Sequence, residues 1–220
     1  MRKKTGPALV TLAIAAALTL SACGSSGGDS SSKSVADISG QSEQTSRTVL
    51  DQPFTKPNLV LKDTKGKTFD FRKETQGKPT LLYFGYTNCP DVCPLTMSNL
   101  AIARKSLTKA EQAQLQVVFV TTDPERDTPA ELAKWLPAAG DPSFIGLTGD
   151  FHAIQAGARS VGISIEPPVK QKDGTIVSTH GAEVVAFSPK TDGGYVLYDE
   201  DATAKDYSKD LPKIIRGEKP

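Results

Sequence analysis

The sequence predicts one α/β domain built on a parallel crossover, and three observations indicate it. Leu81 to Phe84 form a short apolar run, typical of a strand that is buried on both faces. A second such run spans Val117 to Val120. Between them, Met97, Leu100 and Leu107 recur at helical spacing. A strand, a helix and another strand in this order predict a right-handed crossover with a helix covering the sheet.

Turn and capping signals predict the remaining elements. Apolar residues alternate on both sides of a polar turn at residues 63–66, which indicates an N-terminal β-hairpin before the crossover. Thr128 followed by Pro129 has the form of a helix start, and Asp150 begins another helix. The stretch 162–179 is expected to form a hairpin or a long loop. Further strands are expected at 144–147, 184–187 and 195–197, and a last helix at about 207–215.

The N-terminus has the features of a targeting segment. Arg2, Lys3 and Lys4 precede an apolar stretch, residues 10–20, which is short for a transmembrane helix of about 20 residues. The sequence Leu-Ser-Ala-Cys that ends at Cys23 resembles a bacterial lipobox, in which the cysteine is lipidated and becomes the new N-terminus. We therefore expect a lipoprotein on the extracytoplasmic side of the cell membrane. An uncleaved anchor and ordinary secretion are the alternatives.

Composition divides the chain into three parts. We expect a signal peptide over residues 1–22, a flexible tether rich in serine and glycine over 23–47, and a folded domain over 48–220. Without the first 22 residues, the chain holds 23 basic and 25 acidic residues, which are interspersed. The sequence therefore has no basic patch that would indicate binding to nucleic acid.

Two cysteines lie where the first buried strand gives way to a helix. Cys89 and Cys93 are separated by Pro-Asp-Val, and one helical turn would place their Cα atoms roughly 6 Å apart. A helix N-terminus is expected to favour their thiolate forms. The spacing suits a redox pair, two ligands of one metal ion, or a stabilising disulfide. Spacing alone does not choose among these.

Two sequence blocks resemble a known family. Tyr86 to Pro94, YTNCPDVCP, and Thr121 to Pro129, TTDPERDTP, resemble the signatures of the Sco/SenC family of copper-binding assembly proteins. The resemblance extends over roughly residues 50–216. It implies a thioredoxin-like fold with a central mixed sheet, flanked by helices. It also implies a role in assembling the dinuclear copper site of cytochrome c oxidase.

The resemblance also implies a ligand set of Cys89, Cys93 and a distant histidine, which aligns with His180. Two thiolates and one imidazole suit copper, as Cu(I) or Cu(II). Iron–sulfur clusters usually need four thiolates and structural zinc four ligands, which the sequence does not offer. Many members of the family have aspartate before the histidine and histidine before the first cysteine. Here those positions hold Thr179 and Asn88.

Other residues near these blocks receive simpler interpretations. Asp123 follows the second buried strand and is expected at the same sheet edge as Cys89, where it could neutralise a bound cation or influence thiolate titration. A turn role in Asp-Pro is the alternative. Asp127 is expected to serve the start of the next helix. His152 is expected on the surface, and Met97 is expected in the core rather than on the metal.

The sequence therefore predicts a membrane-tethered copper metallochaperone, and leaves open a thiol–disulfide reductase activity. Its expected partners are an upstream copper donor, the copper-site subunit of cytochrome c oxidase, and a thioredoxin-like reductant for a disulfide between its two domain cysteines. The main alternative is an extracytoplasmic thiol–disulfide oxidoreductase that uses Cys89 and Cys93 to reduce the cysteines of the oxidase copper site. A thiol peroxidase fits the fold but has no recognisable active-site motif here.

Overall fold

A computed structural model describes residues 46–181 and 183–220. The predicted signal peptide, the proposed lipidation site Cys23 and nearly all of the predicted tether lie outside these residues. The strands are β1 Arg47–Thr55, β2 Val60–Asp63, β3 Thr68–Asp70, β4 Thr80–Gly85, β5 Gln116–Thr121, β6 Ile145–Thr148, β7 Val169–Lys170, β8 Ile176–Val177, β9 Val184–Phe187 and β10 Gly193–Tyr198. The helices are α1 Phe71–Glu74, α2 Val92–Ser106, α3 Lys109–Gln114, α4 Pro129–Ala139, α5 Phe151–Arg159 and α6 Ala204–Ile215.

Eight of the described strands form one mixed sheet in the order β1-β10-β9-β4-β5-β6-β2-β3. Strands β4, β5 and β6 are parallel neighbours, and Leu82 lies opposite Val118. Strand β9 joins β4 on the other side in antiparallel register. The fold is therefore the predicted α/β architecture: a central mixed sheet with helices on both faces.

The core has two layers, because successive side chains of the central strands point to opposite faces. Leu81 and Tyr83 pack with α2, α4 and α6, whereas Leu82 and Phe84 pack with α1, α5 and β2. This double burial explains the unbroken apolar run that predicted β4. The described residues thus supply a core on each face of the sheet, which is what an independently folding domain needs.

The predicted elements are present, with differences at their boundaries. The β2–β3 hairpin pairs Leu61 with Phe69, and the β4–α2–β5 crossover is confirmed. Strand β1 begins at Arg47, next to the predicted domain boundary. The helix predicted to run to about Leu136 continues to Ala139, although Pro137 lies inside it. The stretch 162–179 contains the small β7–β8 hairpin, and α3 was not predicted.

One edge of the sheet gathers the features of interest. Strands β4 and β5 end there, and β9, which is antiparallel to β4, begins there. The cysteine turn, the segment after Thr121 and the segment before Val184 therefore meet at this edge. Within the described residues, no helix is both long and apolar enough to cross a bilayer.

Candidate metal centre

The two cysteines lie on a turn that leads directly into α2. Asp91 caps this helix, and its carboxylate accepts a hydrogen bond of 2.7 Å from the N–H of Val92. Cys93 is the second residue of α2, and its backbone N–H donates to the Cys89 Sγ at 3.4 Å. Both cysteines are free thiols. The helix start thus brings the two sulfurs together, with the first one held by a backbone donor.

The two thiols differ in their surroundings. Cys89 is 6% exposed, whereas Cys93 is fully buried. Burial raises the pKa of the Cys93 thiol to about 12, and this outweighs hydrogen bonds from the Tyr83 hydroxyl and the Tyr86 backbone that act in the opposite direction. The expectation that the helix start favours a thiolate is therefore wrong for Cys93 in the metal-free protein. A bound metal ion would supply the positive charge that a thiolate at this position needs.

Two residues of β4 form the floor beneath Cys93. The hydroxyl of Tyr83 donates to the Cys93 Sγ at 3.4 Å, and burial raises the pKa of this phenol so far that it stays protonated. Gly85 leaves room for the same sulfur, because a Cβ at this position would lie 2.9 Å from it. In the sequence, Tyr83 is part of the apolar run that predicts β4. The only sequence signal for a role of Tyr83 and Gly85 at the sulfur is their place just before the cysteine turn.

His180 is held beside the ends of β4 and β5 by its neighbours. The hydroxyl of Thr122 donates to the carbonyl of Thr179 at 2.5 Å, and the N–H of Gly181 donates to the carbonyl of Phe84 at 2.8 Å. The Nδ1 of His180 lies 3.0 Å from the carbonyl of Gly181. A carbonyl only accepts, so Nδ1 carries the proton in this contact and Nε2 keeps a free lone pair.

The histidine ring faces a tyrosine of the cysteine turn. The ring centroids of His180 and Tyr86 lie 6.4 Å apart, and burial, together with the nearby Cys89, raises the pKa of the Tyr86 phenol to about 12. In the described parts of the chain, no group of three or more His, Cys, Asp or Glu side chains is arranged to hold a metal ion. The three predicted ligands therefore lie at one sheet edge, but they do not form a ready-made ligand cluster.

Asp123 is buried at this edge, but its partners are not the cysteines. Its carboxylate contacts the guanidinium of Arg126 and accepts a hydrogen bond of 2.8 Å from the Ser178 hydroxyl. Arg126 also reaches the carbonyl of Ile176 at 3.4 Å. Asp123 therefore fastens the end of the β7–β8 hairpin, two residues before His180, to the end of β5.

Asp127 has a role that sequence reasoning missed. Thr128 caps α4, and Asp127 is instead fully buried. Its carboxylate accepts hydrogen bonds from the Thr87 N–H at 2.9 Å, from the Thr87 hydroxyl at 2.5 Å and from the Thr121 hydroxyl at 2.6 Å. These contacts fix the cysteine turn to β5. One sequence signal could have revealed this role. Thr128 already caps α4, so an aspartate just before it is not needed for capping and is expected to have another function.

The remaining predicted residues have the following positions. Asn88 is exposed, and its side-chain amide donates to the Thr87 hydroxyl at 3.3 Å. The hydroxyl of Thr179 bonds the backbone of Glu166 and not the histidine. Met97 is fully buried in the core, and His152 is exposed, both as predicted.

Comparison with known proteins establishes the family. The model of the SCO1/SenC family matches residues 42–216, which is most of the chain. The chain belongs to the SCO1/SenC family. Among solved Sco proteins, ScoI of Bradyrhizobium japonicum, determined with copper bound, is 32% identical. That match covers 74% of this chain and 97% of ScoI, with a TM-score of 0.61.

Two further Sco relatives support the assignment. Apo Sco1 of Thermus thermophilus is 30% identical over 76% of this chain and 95% of its own, with a TM-score of 0.66. Mitochondrial SCO1 of Saccharomyces cerevisiae is 35% identical over 55% of this chain and 42% of its own length. This chain spans less than two thirds of the length of the first curated relatives that it matches. The thioredoxin-like Sco fold predicted from the two sequence blocks is confirmed.

Proposed function

We propose that this protein is a membrane-tethered copper metallochaperone that carries one copper ion on Cys89, Cys93 and His180. It delivers the ion to the dinuclear copper site of cytochrome c oxidase, or prepares that site. The observation that carries this proposal is that three donors lie along one sheet edge. The two free thiols lie on the turn into α2, and His180, whose Nε2 is available, lies in the segment before β9 at the same edge.

The donor set suits copper better than the other common metals. Soft sulfur ligands select Cu(I), and two thiolates with one imidazole also suit Cu(II). A structural zinc site takes four ligands. The two buried carboxylates at this edge are already engaged: Asp123 by Arg126 and Ser178, and Asp127 by Thr87 and Thr121. A three-ligand site leaves a position through which an acceptor can take the ion.

Copper binding requires the imidazole of His180 to approach the two sulfurs. The backbone on both sides of the histidine is held by hydrogen bonds, so the movement must come from the side chain. Hydrogen bonds hold Thr179 and Gly181, one on each side of the histidine, to the ends of β5 and β4. We infer that the imidazole reaches the cysteines by rotation of its side chain, away from the ring of Tyr86. In its present orientation the contact of Nδ1 with the Gly181 carbonyl leaves Nε2 as the nitrogen that would hold the metal.

A redox role is the second candidate, and the asymmetry of the two thiols favours it. Cys89 lies at the rim and Cys93 behind it, which suits a first thiol that attacks and a second that resolves the mixed disulfide. Such a protein would reduce the cysteines of the oxidase copper site and would not require His180. The same disulfide would block copper, so a thioredoxin-like reductant is a proposed partner in both cases.

The proposed cellular setting follows from the N-terminal segment. We propose that residues 1–22 are removed, that Cys23 carries lipid, and that the tether connects this anchor to the domain that begins near residue 48. The protein then faces the extracytoplasmic side of the cell membrane. There it would meet a copper donor and the copper-site subunit of the oxidase.

The test is a titration of Cu(II) into the reduced segment 46–220, followed by sulfur-to-copper charge-transfer absorption. We expect a band that saturates at one copper per chain, and its loss or strong change in His180→Ala. His152→Ala is the matched control, because it removes the other histidine of the chain from an exposed site. Its band should equal that of the parent.

The other outcomes separate the candidates. A band that is the same in His180→Ala and in the parent would keep copper but remove this histidine from the site. No band in the parent, together with rapid disulfide exchange with a dithiol acceptor, would favour the oxidoreductase.

A further inference from the structure

A buried tyrosine hydroxyl lies directly under the cysteine pair. Tyr83 is 1% exposed on β4, and its hydroxyl approaches the Cys93 Sγ to 3.4 Å. The hydroxyl of Thr96, one turn further along α2, lies close enough to this phenol to lower its pKa, although burial outweighs that effect. Thr96, Tyr83 and Cys93 therefore form a small polar cluster inside an otherwise apolar layer of the core.

Packing alone does not explain why residue 83 carries a hydroxyl group. The ring of Tyr83 packs in the apolar layer and lies 6.1 Å from the ring of Phe119, so a phenylalanine would fill the same space. A buried hydroxyl is costly unless it is hydrogen-bonded. Here the bond that it donates goes to a sulfur that is a proposed copper ligand.

We propose that Tyr83 is a positioning residue of the site: its phenol fixes the Cys93 sulfur and draws negative charge from it. The backbone N–H of Tyr86 also lowers the pKa of the Cys93 thiol, so Tyr83 is the side-chain member of a pair of groups that act on this sulfur. The backbone N–H is common to any residue at position 86, whereas the phenol requires tyrosine at position 83. The copper part of this inference rests on the proposed function, but the thiol–disulfide part does not.

The hydrogen bond from Tyr83 to Cys93 should affect both the thiol–disulfide equilibrium of the cysteine pair and the oxidation state of bound copper. A thiol or thiolate accepts it better than a disulfide sulfur does, so it favours the reduced pair. When the sulfur binds copper, the bond lowers the charge that the sulfur gives to the metal and favours Cu(I) over Cu(II). Tyr83 therefore keeps the pair reduced and the carried copper in its lower oxidation state.

The first measurement is the equilibrium of the dithiol with glutathione. Two electrons and two protons pass from Cys89 and Cys93 to glutathione disulfide, which gives a protein disulfide and two molecules of glutathione. In Tyr83→Phe, we expect this equilibrium to move about tenfold toward the protein disulfide, equal to about 30 mV for a two-electron couple. The experiment contains no copper and therefore does not depend on the proposed metal site.

The second measurement is the charge-transfer band of the Cu(II) complex. Loss of the hydrogen bond raises the energy of the sulfur donor orbital, so the band of Tyr83→Phe should move to longer wavelength at unchanged stoichiometry. Tyr195→Phe is the matched control. It removes a phenol that packs with Lys219 at the other end of β10. Its band and its glutathione equilibrium should equal those of the parent.

A second variant covers the case in which Tyr83→Phe does not fold. Thr96→Val keeps the side-chain shape but removes the hydroxyl that lies near the phenol and acts on it, and it should cause smaller shifts in the same directions. If Tyr83→Phe folds and matches the parent in both measurements, the inference is overturned. If it does not fold and Thr96→Val matches the parent, the inference is overturned as well. A parent without a copper band, combined with a shifted glutathione equilibrium in Tyr83→Phe, would refute the proposed function and support the role of Tyr83 at the sulfur.

Discussion

At the scale of single residues, the site depends on Gly85, which has no side chain, as much as on the residues whose side chains form it. Gly85 ends β4 at the point where the first turn of α2 passes over the sheet. Added there, a Cβ would lie 2.9 Å from the Cys93 Sγ, 2.9 Å from the ring of Tyr83 and 3.0 Å from the ring of Phe119. Real Cβ atoms do not approach other heavy atoms so closely, so the helix start has its present position only above glycine.

Gly85→Ala should therefore affect both stability and sulfur chemistry. Overpacking of this kind costs about 1–3 kcal/mol in the free energy of unfolding, which urea denaturation measures. Because the crowded atoms include the Cys93 sulfur, we also expect a shifted glutathione equilibrium. Gly146→Ala is the control, since its Cβ would clash with Leu136 away from the sulfurs. It should lose stability without the redox shift, and equal redox behaviour of the two variants would contradict the role of Gly85.

At the scale of elements, the turn between β5 and α4 connects the two halves of the site. Asp127 holds the cysteine turn through Thr87, and Asp123 with Arg126 holds the hairpin end through Ser178. These carboxylates lie four residues apart on one short segment. The contacts of the TTDPERDTP segment thus hold the cysteine turn and the histidine segment at the same sheet edge.

Loss of the Asp127 carboxylate should loosen the cysteine turn. In Asp127→Asn, the amide nitrogen cannot accept, so a buried threonine donor loses its partner at a cost of about 1–3 kcal/mol. We expect a lower melting temperature and faster alkylation of Cys89 by iodoacetamide. Asp150→Asn is the control: it changes the cap of α5, where asparagine serves as well as aspartate. An alkylation rate in Asp127→Asn equal to that of the parent would refute this role.

The sequence predicted elements whose patterns are local, and failed where a role depends on distant contacts. The apolar runs of β4 and β5, and the caps of α4 and α5, are local signals. Strand β1 was missed because most of its residues are exposed, and α3 was missed because it is short and none of its residues is buried. Cys89, Cys93 and His180 were recognised through spacing and family resemblance. The contacts of Asp127 with Thr87 span 40 residues, and no local pattern encodes them.

At the scale of the whole molecule, the start of the described chain is fastened to the last helix. The guanidinium of Arg47 forms a buried ion pair of 3.1 Å with Asp210, and the hydroxyl of Ser46 donates to Asp206 at 3.0 Å. The proposed lipidation site Cys23 precedes this point in the sequence, and the three proposed copper ligands follow it. The proposed anchor and the proposed copper site therefore lie on separate parts of the chain.

This separation predicts the effect of removing the anchor. Cys23→Ala in the full chain should move the protein from the membrane fraction to the soluble fraction, because it removes the proposed lipidation site. The charge-transfer band of the Cu(II) complex should not change, since its proposed ligands lie within the segment 46–220. A Cys23→Ala protein that stays in the membrane fraction would contradict the lipid anchor, and one that loses the band would contradict the separation.

The direction of β1 has a practical consequence for anyone who attaches this domain to a surface. Arg47 pairs with Tyr198 at the end of β10, so the chain enters the sheet at the edge where the cysteine turn and His180 lie. The C-terminal residues lie near Ser188 and Thr191, at the opposite edge. A segment 46–220 immobilised through its first residue would turn its thiols toward the support and hide them from a partner in solution. Immobilised through Pro220, the same segment would present them outward.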